Sequence, residues 1–268
     1  MFTIALLSLF GTKSFAKPGT EHHAQAQLIA EDDALRPGHT AWVGLLFDLD
    51  KGWHIYWTNP GDSGEPPRVT WELPAGFRAG EIRWPTPIRL GGGSIVDYGY
   101  EGRVLLMAPV ETPANLKAGD TLDLAANVKW LVCNEICIPD KARLTLTVPT
   151  RRAQSSQPPK WQRLFRQTRQ QLPKPMPAGW KAQAESRNDT FILCVETGAL
   201  VDKATFFPLE TSQIQNSALQ AVTPFDRGLR LTLKKSEQLV KPVASLKGLI
   251  VLEPGGTSYN ITAPVVHE

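Results

Sequence analysis

The chain has 268 residues, 42% apolar and 21% charged, and a net charge of +3. That suits one large or two ordinary globular domains with ample length for a core, and the charge is too mild to argue for nucleic acid or an anionic membrane surface as a partner. With 22 prolines, 21 glycines and few stretches of helical period, the chain reads as all-β and rich in turns.

Residues 1–16 read as a secretory signal. Ile4-Ala-Leu-Leu-Ser-Leu-Phe10 is a short apolar run, and Ser14-Phe-Ala16 is a small-x-small cleavage site before Lys17. The run lacks the usual positive residue ahead of it, which a start codon further upstream would supply. No other stretch approaches the ~18 apolar residues of a spanning helix. The expected product is exported and soluble, in a compartment where disulfides persist. Residues 17–35, with His22 and His23 among polar neighbours, read as a flexible lead-in. The two histidines have no cysteine or carboxylate spacing around them that would hold a metal.

A first β-rich unit is expected over residues 36–150. Ala41-Trp-Val-Gly-Leu-Leu-Phe-Asp-Leu reads as a strand. Trp53, Ile55 and Trp57 alternate with His54 and Tyr56 in another, which runs into an Asn-Pro-Gly-Asp turn. Val69 to Phe77 is a strand and turn, and Ile82-Arg-Trp-Pro-Thr-Pro is extended and better suited to an edge. Gly91-Gly-Gly-Ser94 is a turn, since no Gly-Lys-Ser/Thr and no helix pattern follow it. Val104 to Val110 is again a strand. Residues 151–179 form a proline-flanked linker with one short helix, in which Trp161, Leu164, Phe165 and Thr168 fall at i, i+3, i+4 and i+7. A linker helix packed on a neighbouring domain fits its length better than a membrane-surface helix. Residues 180–268 form a second β-rich domain with strands at Thr190–Glu196, Leu229–Leu233, Leu246–Leu252 and Tyr259–Pro264. Cys194 lies in the first of these and reads as a small buried hydrophobe.

The most informative stretch is Val128-Lys-Trp-Leu-Val-Cys133-Asn-Glu-Ile-Cys137-Ile-Pro-Asp140. Alternating apolar residues on both sides make it two strands with the cysteine pair in the connection. A bridge closing ~5 residues removes only ~2 kcal/mol of unfolded-chain freedom, against ~4.7 for a 100-residue loop. As a staple it is wasteful, and as a dithiol that opens and closes with little backbone movement it is well placed. Spacing alone leaves both open. Zinc is a weaker third, because none of the five histidines has a matching spacing. Lys129 and Lys141 would favour a thiolate, whereas Glu135 and Asp140 would disfavour it.

Trp53-His-Ile-Tyr-Trp-Thr-Asn-Pro-Gly-Asp-Ser-Gly64, Trp84-Pro-Thr-Pro, Tyr98-Gly-Tyr-Glu-Gly102 and Trp130-Leu-Val-Cys-Asn-Glu-Ile-Cys-Ile-Pro139 occur in this order. Together they resemble the N-terminal periplasmic region of DsbD-type protein-disulfide reductases, especially the ScsB-like branch. The resemblance runs from about Trp42 to Pro149, and more loosely through Ala204-Thr-Phe-Phe-Pro208, Gly228-Leu-Arg-Leu and Leu246-Lys-Gly248 to Ala263-Pro264. It implies an immunoglobulin-like β-sandwich, followed here by the linker helix and a second sandwich-like domain. It implies that Cys133 and Cys137 are a redox pair and need no cofactor or metal. It implies that a membrane-embedded donor of the same type reduces the pair, and that periplasmic thioredoxin-like or disulfide isomerase proteins oxidise it. Cytochrome maturation and copper tolerance are roles implied in the same way. Trp130, Tyr98 and Tyr100 are candidates to shield the pair, and Glu135 and His54 to shape the site. Family members continue into transmembrane helices and a thioredoxin-like domain, and this sequence holds neither these nor a Cys-x-x-Cys. Either the electron source is a separate protein or the chain is a fragment of a longer product, and without that source the implied protein-disulfide reductase component does not turn over by itself. Two rivals remain at this point: a non-catalytic β-sandwich binding module with a structural disulfide, and a Cu(I)-binding protein using the two thiolates.

Overall fold

The computed structural model describes residues 22–153 and 158–267, so the signal-like run 1–16 lies outside the described residues. The first unit contains β1 (Ala24–Ala30), β2 (Thr40–Leu49), β3 (His54–Gly61), β4 (Arg68–Glu72), β5 (Arg78–Ala79), β6 (Ile88–Gly92), β7 (Ile95–Glu101), β8 (Arg103–Glu111), β9 (Thr121–Cys133) and β10 (Cys137–Pro149). One sheet has the order β1-β2-β8-β5; the other runs β10-β9-β3-β7-β6, with β4 also paired to β9. All pairings within the two sheets are antiparallel. The sheets face each other as an immunoglobulin-like sandwich. Phe47 and Leu45 of one layer meet Trp130, Val128 and Ile55 of the other in one core. Strands with one covered face, such as β10 and β13, bury alternate residues because side chains point to opposite faces of a pleated sheet, whereas β2 and β8, covered on both faces, bury continuous runs.

The helix α1 (Gln162–Gln171) buries Phe165 and Thr168. Phe165 packs with Ile29, Leu46, Leu105 and Met107, on the outer face of the β1-β2-β8 layer. Gly44 makes room for the ring: a Cβ there would lie 3.2 Å from Phe165 and 2.4 Å from Leu105. Beyond the helix come β11 (Lys174–Pro175), β12 (Lys181–Arg187), β13 (Thr190–Glu196), β14 (Lys203–Pro208), β15 (Ala221–Phe225), β16 (Gly228–Lys234), β17 (Ser245–Glu253) and β18 (Thr257–His267). Their order is β14-β17-β18-β12-β13-β16-β15, with β11 off this path beside β18. The long β18 pairs with β17 along Thr257–Pro264 and with β12 from Val265 to His267, so it carries the ladder from one layer to the next. Phe191, Leu193, Phe206, Leu231 and Ile250 fill the core of this second unit.

The two units share apolar contacts as well as chain. Phe207 and Leu249 of the second belong to the core of the first, and the Phe207 ring sits edge-on to Trp57 and Tyr98. No helix among the described residues is long and apolar enough to cross a membrane.

One reading of the sequence needs correction here. The segment 17–35 was expected to be a flexible lead-in, but its described part contains β1, which pairs with β2 from Ala24 to Ala30. Leu28 and Ile29 are buried on opposite faces, one in the sandwich and one under the helix, so the strand lacks the clean alternation that would have revealed it. His22 and His23 are likewise engaged: His22 bonds Asp140 at 2.9 Å, and His23 stacks on Trp53 at 3.7 Å.

Candidate functional site

The site is built on the β9–β10 hairpin, paired over thirteen residues on each side with Cys133 directly opposite Cys137. Asn134, Glu135 and Ile136 make the turn, closed by Asn134 N–H donating to the Ile136 carbonyl at 3.0 Å. The register places the two Cα atoms 4.2 Å apart, and the sulfurs are joined in a disulfide. Strand pairing already holds the geometry the bridge requires, so the bond can break without moving the backbone. The two sulfurs differ in access. Cys133 is 1% exposed, whereas Cys137 and the turn are open to solvent.

β3 supplies the neighbours. His54 is the cross-strand partner of Cys133, and Tyr56, two residues on, therefore projects from the same face. The Tyr56 hydroxyl lies 3.4 Å from Cys137 Sγ. A disulfide sulfur carries no hydrogen, so the hydroxyl is the donor. Burial pushes the Tyr56 pKa up, with nearby Asp97 adding to the rise and a hydrogen bond with Ser63 opposing it, so the group keeps its proton near neutral pH. The His54 ring stands edge-on to Tyr56 at 5.2 Å, and its Nε2 is buried without a hydrogen-bond partner among the described residues. Burial holds the imidazole pKa below its ordinary value against the pull of Asp97 and Glu101.

Tyr56 lies on the outer face of its sheet, yet it is fully buried. The loop after β3 roofs it. Gly64 has a φ of +73° and approaches the ring so closely that a Cβ would stand 2.1 Å from it. Only glycine satisfies both demands. Asp97 fixes the loop from below: its carboxylate accepts the Ser63 N–H and the Ser63 hydroxyl, both at 2.8 Å. Asp62 accepts the Val96 N–H at 2.8 Å.

The second unit holds the same loop from outside. The Asn216 amide donates to Asp62 at 2.8 Å and its oxygen accepts the Tyr98 hydroxyl at 2.9 Å. Asn59 donates to the Pro208 carbonyl at 2.8 Å and to the Glu210 carbonyl at 3.3 Å. Hydrogen bonds and packing thus run from the second unit through residues 59–64 to Tyr56 and on to Cys137.

The expected shielding and site-shaping residues divide. His54 flanks the pair, and Glu135 stands exposed between the cysteines. Trp130 is a core residue, edge-on to Phe47 at 5.4 Å. Tyr98 and Tyr100 are also core residues, with hydroxyls engaged elsewhere: Tyr98 on Asn216, and Tyr100 on the Pro85 carbonyl at 2.8 Å. The ring that touches sulfur is Tyr56, which the sequence motif contains but which spacing alone does not single out. His54 and Tyr56 share one strand face, and parity with Cys133 was the signal that could have found it.

Cys194 is not the buried hydrophobe expected. β13 turns Phe191, Leu193 and Val195 inward, so Cys194 faces outward and is half-exposed between Gln183 and Arg230. Partial burial raises its thiol pKa, with Arg230 opposing and Glu196 reinforcing the rise.

Residues 25–149 match the family model described as thiol:disulfide interchange protein DsbD, N-terminal. Among solved structures, the N-terminal periplasmic domain of ScsB from Proteus mirabilis superposes with a TM-score of 0.66 at 17% identity, covering 94% of this chain and 96% of that one. At that identity the likeness shows the fold. A protein of unknown function from Porphyromonas gingivalis W83 aligns over 91% of this chain and 100% of that one, at 10% identity and a TM-score of 0.27, too low to carry an argument. No curated protein matches the sequence.

Proposed function

Residues 25–149 form a DsbD-type N-terminal domain, and from that premise we propose that the chain relays electrons in the periplasm, from a membrane-embedded donor to oxidised proteins, through the Cys133/Cys137 dithiol. In the reduced state the exposed Cys137 thiolate attacks one sulfur of a partner's disulfide. A mixed disulfide forms and the partner's other sulfur leaves as thiolate. The Cys133 thiolate then attacks Cys137 Sγ, closing the internal bridge and releasing the partner's second thiolate. Two electrons pass to the partner, and a donor dithiol restores Cys133 and Cys137 by the reverse sequence. Thioredoxin-like proteins and disulfide isomerases are the acceptor class.

One observation carries this reading: the bridge joins a buried sulfur to an exposed one within a hairpin that strand pairing already closes. A staple there adds little, whereas an attacking thiol with a shielded resolving thiol behind it is what exchange requires. The Tyr56 hydroxyl supports it further, as a donor able to stabilise a Cys137 thiolate.

The reduction potential tests the proposal. A value between about −120 and −270 mV is expected, as for exchange proteins, rather than below about −300 mV as for structural bridges. Cys133→Ser should trap a mixed disulfide through Cys137, and Cys137→Ser should trap none. A structural potential with no trapped species would defeat the relay.

A further inference from the structure

A groove of about 810 Å³ opens between the end of the roof loop, at Glu65 and Pro66, and the outer face of the β9–β10 hairpin. Its floor is ordered by strand register. Cys133 opposite Cys137 forms the first rung and Leu131 opposite Pro139 the second. Lys129 forms the third, flanked by Lys141 on one side and by Arg68 of β4 on the other. Inward-pointing Val128, Trp130 and Val132 confirm by alternation that all three rungs share the outer face. Successive rungs are roughly 7 Å apart, which sets the cations roughly 13 Å from the disulfide.

Like charges directly opposite one another on a sheet are destabilising, and here three stand abreast. The next rung shows how the fold neutralises a cation when neutralisation serves it: Arg143 is held by Glu72 at 2.7 Å. On the cationic rung Arg68 meets Glu65 at 2.9 Å at an exposed position, but neither Lys129 nor Lys141 has a carboxylate partner among the described residues. Asp140, which also lines the groove, is engaged by His22 at 2.9 Å and by its neighbour's backbone N–H rather than by either lysine ammonium.

Resting on the relay reading, we propose that this face docks an acidic, extended segment of the partner polypeptide beside the partner's own disulfide. Carboxylates over Arg68, Lys129 and Lys141 bring the partner sulfur onto Cys137, with apolar contact on Leu131 and Pro139 between. The surface selects partners by charge and speeds encounter more than it tightens the complex.

The test uses the reduced full chain and two synthetic disulfide peptides, identical except that one bears a glutamate arm and the other a lysine arm. At about 20 mM salt the acidic peptide should be reduced about tenfold faster, and the gap should close by about 0.5 M salt. The double variant Lys129→Glu/Lys141→Glu, changed only at exposed positions, should reverse the preference. Equal rates for the two peptides, or a preference that survives the double variant, overturn the docking surface while leaving the relay intact. If neither peptide is reduced, the relay falls and a redox-free measurement decides the surface. A glutamate-armed peptide with serine in place of cysteine should then bind wild type, by fluorescence anisotropy, at least fivefold tighter than the double variant. Equal binding overturns it.

Discussion

The chemistry of the pair is set by single side chains. Tyr56 offers Cys137 a hydroxyl at 3.4 Å, and a thiolate accepts such a bond better than a thiol does. Tyr56→Phe should raise the Cys137 pKa and slow alkylation of the reduced protein at pH 7 roughly fivefold, the equivalent of about 1 kcal/mol. An unchanged alkylation rate would mean that the hydroxyl serves only packing. His54 makes a different prediction. Its folded pKa lies below the ordinary 6.5 because it is buried, so the fold binds fewer protons than the unfolded chain in that range. Stability is therefore kept above pH 6.5 and declines as pH falls through 6.5 to the lower folded value. Urea midpoints taken between about pH 7.5 and pH 5 should show a shallower decline in His54→Gln than in wild type.

Among the elements, the hairpin was legible and its roof was not. Alternation around Cys133 and Cys137 marks two strands because one face of each is buried, and that pattern is local. The helix was legible for the same reason, since Phe165 and Thr168 recur at the helical period and both are buried. The roof is set by tertiary contact. Asn59-Pro-Gly61 reads as a turn, yet β3 continues through it with a register shift against β7, and nothing nearby announces that Gly64 will lie on a ring eight residues back. Gly64→Ala tests the roof directly. The added methyl group cannot fit 2.1 Å from the ring at a φ of +73°, so the loop must lift. The expected cost is about 1–3 kcal/mol in equilibrium unfolding, together with faster alkylation of the reduced pair as Tyr56 is uncovered. A stable variant with unaltered reactivity would show the roof to be irrelevant to the sulfur.

At the scale of the molecule, the second unit is a partner in the first unit's architecture, and no periodicity in either segment could have revealed that. Asn216 reads as an ordinary polar residue, yet it is buried and satisfies both Asp62 and Tyr98 across the interface. Asn216→Ala should cost about 2–3 kcal/mol by leaving those two groups without their bonds. It should also raise amide hydrogen exchange across residues 59–64 ahead of global unfolding. Exchange that rises equally everywhere would assign the loss to global stability alone.

Thr86 is where three parts of the chain meet. Its N–H and hydroxyl both donate to the Gln171 carbonyl at the end of the helix, and the hydroxyl also reaches Ser258 of β18. Sandwich, helix end and last strand are thus tied at one residue, so the hairpin that carries the Cys133–Cys137 pair belongs to a body in which both units are fastened together. In the proposed relay, the orientation for attack would be found by movement of that body as a whole. For that relay, a partner whose own disulfide sits on a mobile arm would supply the local reach that the paired hairpin lacks.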